Sequence, residues 1–317
     1  MDKSVKVGVS ACLLGQKVRY DGGHKLDRYL RDVLGKYVHL IAVCPETESG
    51  MSVPREAMHL VGDAENPRLM TVATGRDFTE IMREWAGRKT KALEEEKLSG
   101  FIFKSKSPSS GMERIKLYND KGRAVNNKGR GIFAAMFMQR FPLIPVEDEG
   151  RLNDPMLREN FITRIFVFGR WLELMDQGLS AGRLVDFHTR HKLLVMSHNV
   201  EAYRELGRMV ASPKDFNSDD LAREYITRLM GALKLYSTVK KNVNVLQHVA
   251  GYFKKNLSKD EKEELQEILN RYASSLVPLI VPVTLLNHYV RKYDQDYLKK
   301  QIYLNPHPAE LKLRNHV

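Results

Sequence analysis

The sequence predicts an α/β N-terminal domain with a mainly parallel sheet, followed by an all-α C-terminal domain. Three observations carry this. Short β-branched apolar runs alternate with amphipathic stretches in the first half, a polar and turn-rich segment follows near residue 150, and beyond it the apolar spacing is helical throughout. The chain has 317 residues, above the size of about 250–300 at which a single core stops growing, so two domains are expected, residues 1–150 and 151–317.

"VKVGVSA" (5–11) is apolar and β-branched and runs into Cys12, which predicts a buried strand. Residues 24–37 carry Leu26, Tyr29, Leu30, Val33 and Leu34 at helical spacing, and "VHLIAVC" (38–44) is a second strand before Pro45, completing a β-α-β unit. Asp77 and Glu80 predict a capping box opening a helix over 77–93, with Phe78, Ile81, Met82, Trp85 and Leu93 on one face. "GFIFKS" (100–105) is a third strand. The segment "PVEDEGRLNDP" (145–155) marks the boundary, and Asp154 with Pro155 reads as an N-cap and first-turn pair. Helical segments follow from there, at 179–197 and 219–250, and a Ser258–Glu261 capping box opens a further helix.

Composition narrows the function classes. Hydrophobic residues make up 43% of the chain, enough for both domains to be globular, yet no run approaches the ~18–20 apolar residues that span a bilayer. The N-terminal apolar stretch is too short for a signal peptide, so a cytoplasmic protein with no membrane partner is expected. Two cysteines, Cys12 and Cys44, are too few for a disulfide framework, which leaves burial, catalysis or metal ligation. The formal net charge of +12 attracts anionic partners without naming one.

In an open parallel sheet, ligands bind beyond the carboxyl ends of the strands, where loops diverge and helix N-termini point inward. Cys12, Cys44 and the serine-rich turn "KSKSPSSG" (104–111) each follow a predicted strand, so three separate segments are expected to meet at one edge. Arg19, Asp21, His24 and Lys25 follow Cys12, while Glu46 and Arg55 follow Cys44. The competing reading makes both cysteines small core residues and the neighbouring glycines plain turns.

Three other constellations carry two readings each. Gly129 and Gly131 open a helix whose amides are suited to a phosphate, with Arg19, Lys25, Arg55 and Arg130 as cationic partners; alternatively they make a tight, close-packed turn. His188, His191 and His198 fall within about 80° of one another on a helix, which suits either a metal site or packed histidines. Lys240, Lys241, Lys254, Lys255 and Lys259 lie near Tyr236, Tyr252 and Phe253, a mixture suited to RNA contact or to a solvated face.

Beyond these patterns, "SACLLGQKVRYDGGHK", "VCPE" with "VPRE" downstream, and "KSKSPSSG" resemble, in order, the signature blocks of the DUF523 family, which includes the thiouracil desulfidases. The resemblance covers roughly residues 5–147. The second half resembles the DUF1722 (YbgA-like) domain through "FHTRHKLLVMSH", "LQHVAGYFKK", "VPLIVPVTLLNHYV" and "YLKKQIYLNPHPAELKLR". What the first resemblance implies is non-redox desulfuration of a thiolated pyrimidine base or nucleotide, C=S to C=O with release of sulfide. It implies a [4Fe-4S] cluster held by three cysteines, its open iron acting as a Lewis acid on the thiocarbonyl sulfur. Carried over by position, the ligands are Cys12, Cys44 and the residue at Ser110, with Glu46 as acid/base and Ser107 as a polar partner.

The chain departs from the family at the third ligand, where Ser-Pro-Ser-Cys-Gly becomes Ser107-Pro108-Ser109-Ser110-Gly111. A hydroxyl is a far weaker acid and a harder donor than a thiol. Three outcomes follow: a cluster held by Ser110 or by a stand-in such as His24 or Glu46, a labile cluster, or a site that keeps only binding. The alternative function is accordingly a non-catalytic nucleotide- or RNA-binding protein with a degenerate cluster site.

Overall fold

A computed structural model describes residues 5–211 and 218–316. They fall into two compact units, Met1–Asp154 and Pro155–Val317. The first is α/β and the second is helical.

In the α/β unit, strands β1 (Lys6–Ser10), β2 (His39–Val43), β5 (Gly100–Phe103) and β8 (Val146–Asp148) form a fully parallel sheet in the order β2-β1-β5-β8. Parallel pairing buries both faces, which is why β5 is Gly-Phe-Ile-Phe with every residue buried. Gly8 sits opposite Phe101 in this sheet, and a Cβ on it would stand 2.3 Å from the Phe101 ring, so the ring lies where a side chain would be. Phe101 stacks on Phe103 with ring centroids 4.3 Å apart.

A second sheet was not foreseen from the sequence. It runs β4-β3-β6-β7, from β3 (Met58–Val61), β4 (Arg68–Thr71), β6 (Ile115–Tyr118) and β7 (Ala124–Gly129), with β3 and β6 parallel and the outer pairs antiparallel. Strands of four residues such as Met58–Val61 show too little alternation to separate from loop. Helices α2 (Thr79–Glu95) and α3 (Ile132–Arg140) bring Met82, Trp85, Phe133 and Phe137 into one core with residues of both sheets. Of the apolar face expected on α2, Ile81 stays exposed.

Two local expectations fail for identifiable reasons. Residues 24–37 do not form a regular helix: a π-helical turn covers Tyr29–Val33 and a 3-10 turn Leu34–Lys36. The stretch before them is extended because the Lys25 and Asp27 amides donate to the Cys12 and Leu13 carbonyls, each at 2.9 Å. The Asp77–Glu80 capping box is not formed. The Asp77 carboxylate accepts from the Thr79 amide at 2.8 Å, Glu80 pairs with Arg83 at 2.9 Å, and the helix begins at Thr79.

The helical unit comprises α4 (Pro155–Asp176), α5 (Ala181–His198), α6 (Val200–Ala211), α7 (Ser218–Leu233), α8 (Val239–Gly251), α9 (Lys259–Ala273), α10 (Ile280–Lys292) and the short α11 (Asp296–Lys299). The segment 219–250 is broken between α7 and α8, where the Thr238 hydroxyl caps α8. The Ser258–Glu261 capping box forms, each side chain bonded to the other's amide. Among the described residues no helix is long and apolar enough to cross a membrane.

Candidate functional site

The segments that follow β1, β2 and β5 meet around a cleft of about 440 Å³. Cys12, Cys44, Glu46, Ser107, Ser109 and Ser110 all line it. So do the cations Arg19, Lys25, Arg55, Lys104 and Lys106, with Glu46 the one carboxylate among the lining residues.

Cys12 lies in a 3-10 turn, Ala11–Leu14, closed by Gly15 at φ 90°, a left-handed conformation that glycine adopts without strain. Burial pushes its thiol up to about 11, with the Lys104 ammonium pulling in the opposite direction. Cys44 precedes the single helical turn α1 (Pro45–Glu48); its amide donates to Glu48 at 2.8 Å, and its sulfur stands 4.0 Å from the Val18 carbonyl. Pro45 at the first helical position pre-sets the turn that carries Glu46.

Both oxygens of Glu46 are held. Oε2 forms an ion pair with Arg55, and Oε1 accepts from the Ser109 hydroxyl at 2.8 Å. Arg55 also donates to the carbonyls of Val18 at 2.9 Å and Ser52 at 3.2 Å, so it ties the segments after β1 and β2 to the carboxylate. The pair is largely shielded, the side chains being 7% and 15% exposed, so removing either partner would leave the other charge poorly solvated.

The serine turn is a network of its own. Ser110 Oγ donates to Ser107 Oγ at 3.2 Å, Ser107 and Ser109 hydroxyls lie 3.0 Å apart, and the Ser110 amide reaches Ser107 Oγ at 3.2 Å. Ser109 and Ser110 are buried. Helix α3 props the turn from below: the amides of Gly131, Ile132 and Phe133 donate to the carbonyls of Gly111, Pro108 and Ser109 at 2.8, 3.4 and 2.9 Å. A Cβ at Gly131 would stand 2.6 Å from the Ser109 carbonyl, so this glycine is required by close approach. These amides are engaged by the turn, which corrects the expectation that they receive a phosphate.

Of the remaining candidates, Arg19 and Lys25 reach the cleft and Asp21 does not line it; Asp21 pairs with Arg19 at 3.4 Å and accepts from the Gly23 amide at 3.0 Å. Arg130 is exposed and is not among the lining residues. His24 also stays out, its Nδ1 accepting from the Leu26 amide at 3.2 Å. Among the lining residues that were not singled out in the sequence are Ser109, Lys104 and Lys106. Their signal was present in the same serine block, since a turn that delivers Ser107 and Ser110 also delivers its neighbours. Lys104 bonds to Ser105 and pairs with Glu149, which accepts the Ser105 amide at 2.7 Å and so clamps the start of the turn.

In the helical unit His188, His191 and His198 are interior residues. His188 Nδ1 meets the Tyr225 hydroxyl at 3.1 Å, His191 Nδ1 donates to the Phe187 carbonyl at 2.7 Å, and His198 Nδ1 to the Leu235 carbonyl at 2.6 Å. Burial holds all three well below the usual histidine range, at about 4, 3 and 4. The expected lysine face is divided too. Lys241 caps the His198 and Tyr236 carbonyls at 2.7 and 2.9 Å, and Phe253 is buried, while Lys240, Lys254, Lys255 and Lys259 are exposed.

The donor set around the cleft can be weighed against an iron-sulfur cluster. Cys12 and Cys44 are soft donors on one wall, and Ser110 presents a buried hydroxyl at the same cleft. Among the described residues no three His, Cys, Asp or Glu side chains gather as a metal site. Glu46, bound to Arg55 and Ser109, and His24, bound to the Leu26 amide, are therefore not stand-in ligands. The cleft thus offers a cluster two thiols and, in place of a third, the hydroxyl of Ser110.

Residues 7–149 match the family described as 2-thiouracil desulfurase, and residues 192–308 match DUF1722, a family described as a protein of unknown function. The chain is 31% identical over 165 residues to "Uncharacterized protein YbgA" of Escherichia coli (strain K12), covering 52% of this chain and 98% of that protein. It is 32% identical over 151 residues to "Uncharacterized protein YbbK" of Bacillus subtilis (strain 168), covering 46% and 97%. A solved structure of the [4Fe-4S]-dependent thiouracil desulfidase TudS shares 32% identity, with a TM-score of 0.40, over 47% of this chain and 93% of that one. The chain belongs to the 2-thiouracil desulfurase (DUF523) family over its α/β region and to the DUF1722 family over its helical region.

Proposed function

We propose that the chain desulfurates a thiolated pyrimidine base or nucleotide, replacing C=S by C=O and releasing sulfide. The observation that carries this is the convergence of Cys12, Cys44, Glu46 and the serine turn on one cleft. Cys12, Cys44 and Ser110 would hold a [4Fe-4S] cluster, which when bound supplies a soft Lewis-acidic iron for the thiocarbonyl sulfur. Glu46, oriented by Arg55 and Ser109, exchanges protons with the water that adds to the ring carbon and with the departing sulfur. Ser107 offers a hydroxyl beside it, and Arg19 and Lys25 favour a substrate that carries negative charge. The reading includes a desulfidase-type domain over 1–150, a YbgA-like domain over 151–317 and a cytoplasmic location.

The test is sulfide release from thiouracil and from thiouridine monophosphate by the full chain reconstituted anaerobically with iron and sulfide. Release is expected. No release from either this protein or an iron-loaded Ser110→Cys variant would overturn the reading.

A second reading, RNA contact through the helical unit, is supported by a groove that Lys192, Tyr203, Arg204 and Arg208 line without a carboxylate among its described lining residues. Titration with tRNA at rising salt tests it, each phosphate contact contributing a slope of roughly 0.7–0.9 in log K against log salt. No binding at low salt would remove it.

A further inference from the structure

The helical unit holds a cavity of about 110 Å³, lined from α4, α5, the α7–α8 link, the end of α9 and the C-terminal tail. Leu194, Val239, Val277 and Leu279 give it apolar walls, and the exposed Met156 and Tyr236 connect it to the surface. Against these walls stand four polar atoms of buried residues that have no hydrogen-bond partner among the described residues. The Asn160 amide nitrogen donates to the Leu233 and Leu235 carbonyls at 2.9 and 3.4 Å, which fixes Oδ1 as the acceptor left over. His198 Nδ1 donates to the same Leu235 carbonyl at 2.6 Å, and the ring, held neutral by burial, keeps a lone pair on Nε2. Thr90, Thr227 and Thr284 return their hydroxyls to a carbonyl one turn back at 2.8, 2.7 and 2.7 Å; the Thr163 hydroxyl makes no such bond, although the residue is only 3% exposed. Arg314 gives Nε to Glu159 at 3.3 Å and Nη1 to the Tyr303 carbonyl at 2.7 Å, leaving Nη2. Whereas His191 Nε2 is sealed in without a partner, these four atoms keep accessible surface, and their residues all line the cavity.

We propose that this cavity is a binding site for a small uncharged ring of the cyclic amide or imide type, its N–H donating to the Asn160, Thr163 and His198 acceptors and its carbonyl accepting from Arg314. The site is separate from the α/β cleft and stands whether or not that cleft desulfurates. Three features select this chemistry. Buried polar groups are ordinarily paired, so four unpaired ones around one space call for a ligand that supplies donors to three and an acceptor to the fourth. The fixed charges, Arg314 and Glu159, already pair with each other, so a charged ligand would enter without a counter-ion. By volume the space takes three or four waters at about 30 Å³ each, but waters would leave Leu194, Val277 and Leu279 wetted. A small ring satisfies both kinds of wall, and the size suits it, since a cavity of about 150 Å³ takes benzene.

The test titrates the full chain with 2-pyridone to about 10 mM, enough to saturate a millimolar site, and follows the methyl resonances of Leu194, Val239, Val277 and Leu279. Those four are expected to shift together, while Val43 and Met58 report separately on the α/β cleft. N-methyl-2-pyridone, which lacks the donor, and benzoate, which adds a charge, are expected to bind at least about tenfold more weakly. Thr163→Val keeps the side chain's shape without its hydroxyl and should weaken 2-pyridone about three- to tenfold. Val277→Trp, which fills the space, should abolish its binding. The ligand series is read on the unsubstituted protein, so it does not depend on how the variants fold. No shift of the cavity methyls would leave the space to water and overturn the site. Shifts confined to Val43 and Met58, equal affinity for the three ligands, or unchanged binding by folded Thr163→Val or Val277→Trp would each overturn it as well.

Discussion

Around the α/β cleft, Glu46, Arg55 and the serine hydroxyls face a cavity and are arranged toward one another across three separate strand ends. In the helical unit, His188, His191 and His198 share a helix, yet each has its Nδ1 turned to a different partner: a tyrosine hydroxyl and two backbone carbonyls. The difference lies in how the two architectures treat polar groups. Parallel strands stop while their loops diverge, so side chains after β1, β2 and β5 collect at an edge that packing does not fill. Helices pack side-on, and a polar group on the inner face must be satisfied within the interior or destabilise it.

The largest effect should come from the edge. Glu46→Gln keeps the side chain's shape but removes the charge that Arg55 neutralises and the base at the cleft. A loss of about 10²–10⁴ in sulfide release with iron content retained is expected. An unchanged rate would detach Glu46 from the chemistry.

Acid should single out the helical unit next. His188, His191 and His198 have folded pKa values of about 4, 3 and 4 against an ordinary 6.5. Below pH 6.5 the unfolded chain takes up protons that the folded unit refuses, so stability is complete above 6.5 and is lost as pH falls toward 4. Thermal melts followed by helical circular dichroism check this. A melting temperature flat from pH 7 to 4 would show that the interior opens to protonate them.

Alkali tests the other unit. Cys12 is raised from 9.0 to about 11, so the folded thiol keeps its proton where the unfolded one loses it. Its contribution is complete below pH 9, falls away between 9 and 11, and amounts to about 2–3 kcal/mol at most. Cys12→Ala should flatten the alkaline limb of the stability profile and leave the acid limb as it is.

Gly8→Ala examines the sheet beneath the cleft. The added methyl meets the Phe101 ring at 2.3 Å, and a cost of about 1–3 kcal/mol in denaturant unfolding is expected. The smallest effect belongs to the exposed lysines: Lys254→Gln with Lys255→Gln should change stability by no more than about 0.5 kcal/mol, while lowering the salt slope of any tRNA binding.

Much of this was legible before the structure. The strands at 6–10, 39–43 and 100–103 were visible because both-face burial writes continuous apolar runs. The Ser258–Glu261 box was visible because capping is local chemistry. The second sheet was not, since Arg68–Thr71 and Ile115–Tyr118 become strands through pairing with distant segments rather than through their own pattern. The helix expected over 24–37 failed for the same reason, as backbone bonds to Cys12 and Leu13 outweigh helical spacing. Arg130 looked like a member of the cationic set because it sits near a glycine pair, and sequence distance carries no information about which side of a helix mouth a side chain occupies.

The sequence by itself determined the class of each half, the strand ends that approach one another, and the exchange of sulfur for oxygen at Ser110. Those are properties of residue type and local period. Only the tertiary structure decided that Glu46 is held between Arg55 and Ser109, that α3's amides support the serine turn, and that the hydroxyls of Ser107, Ser109 and Ser110 form one network joined to that carboxylate through Ser109. Such facts depend on distances between residues up to 63 positions apart, and folding sets those distances.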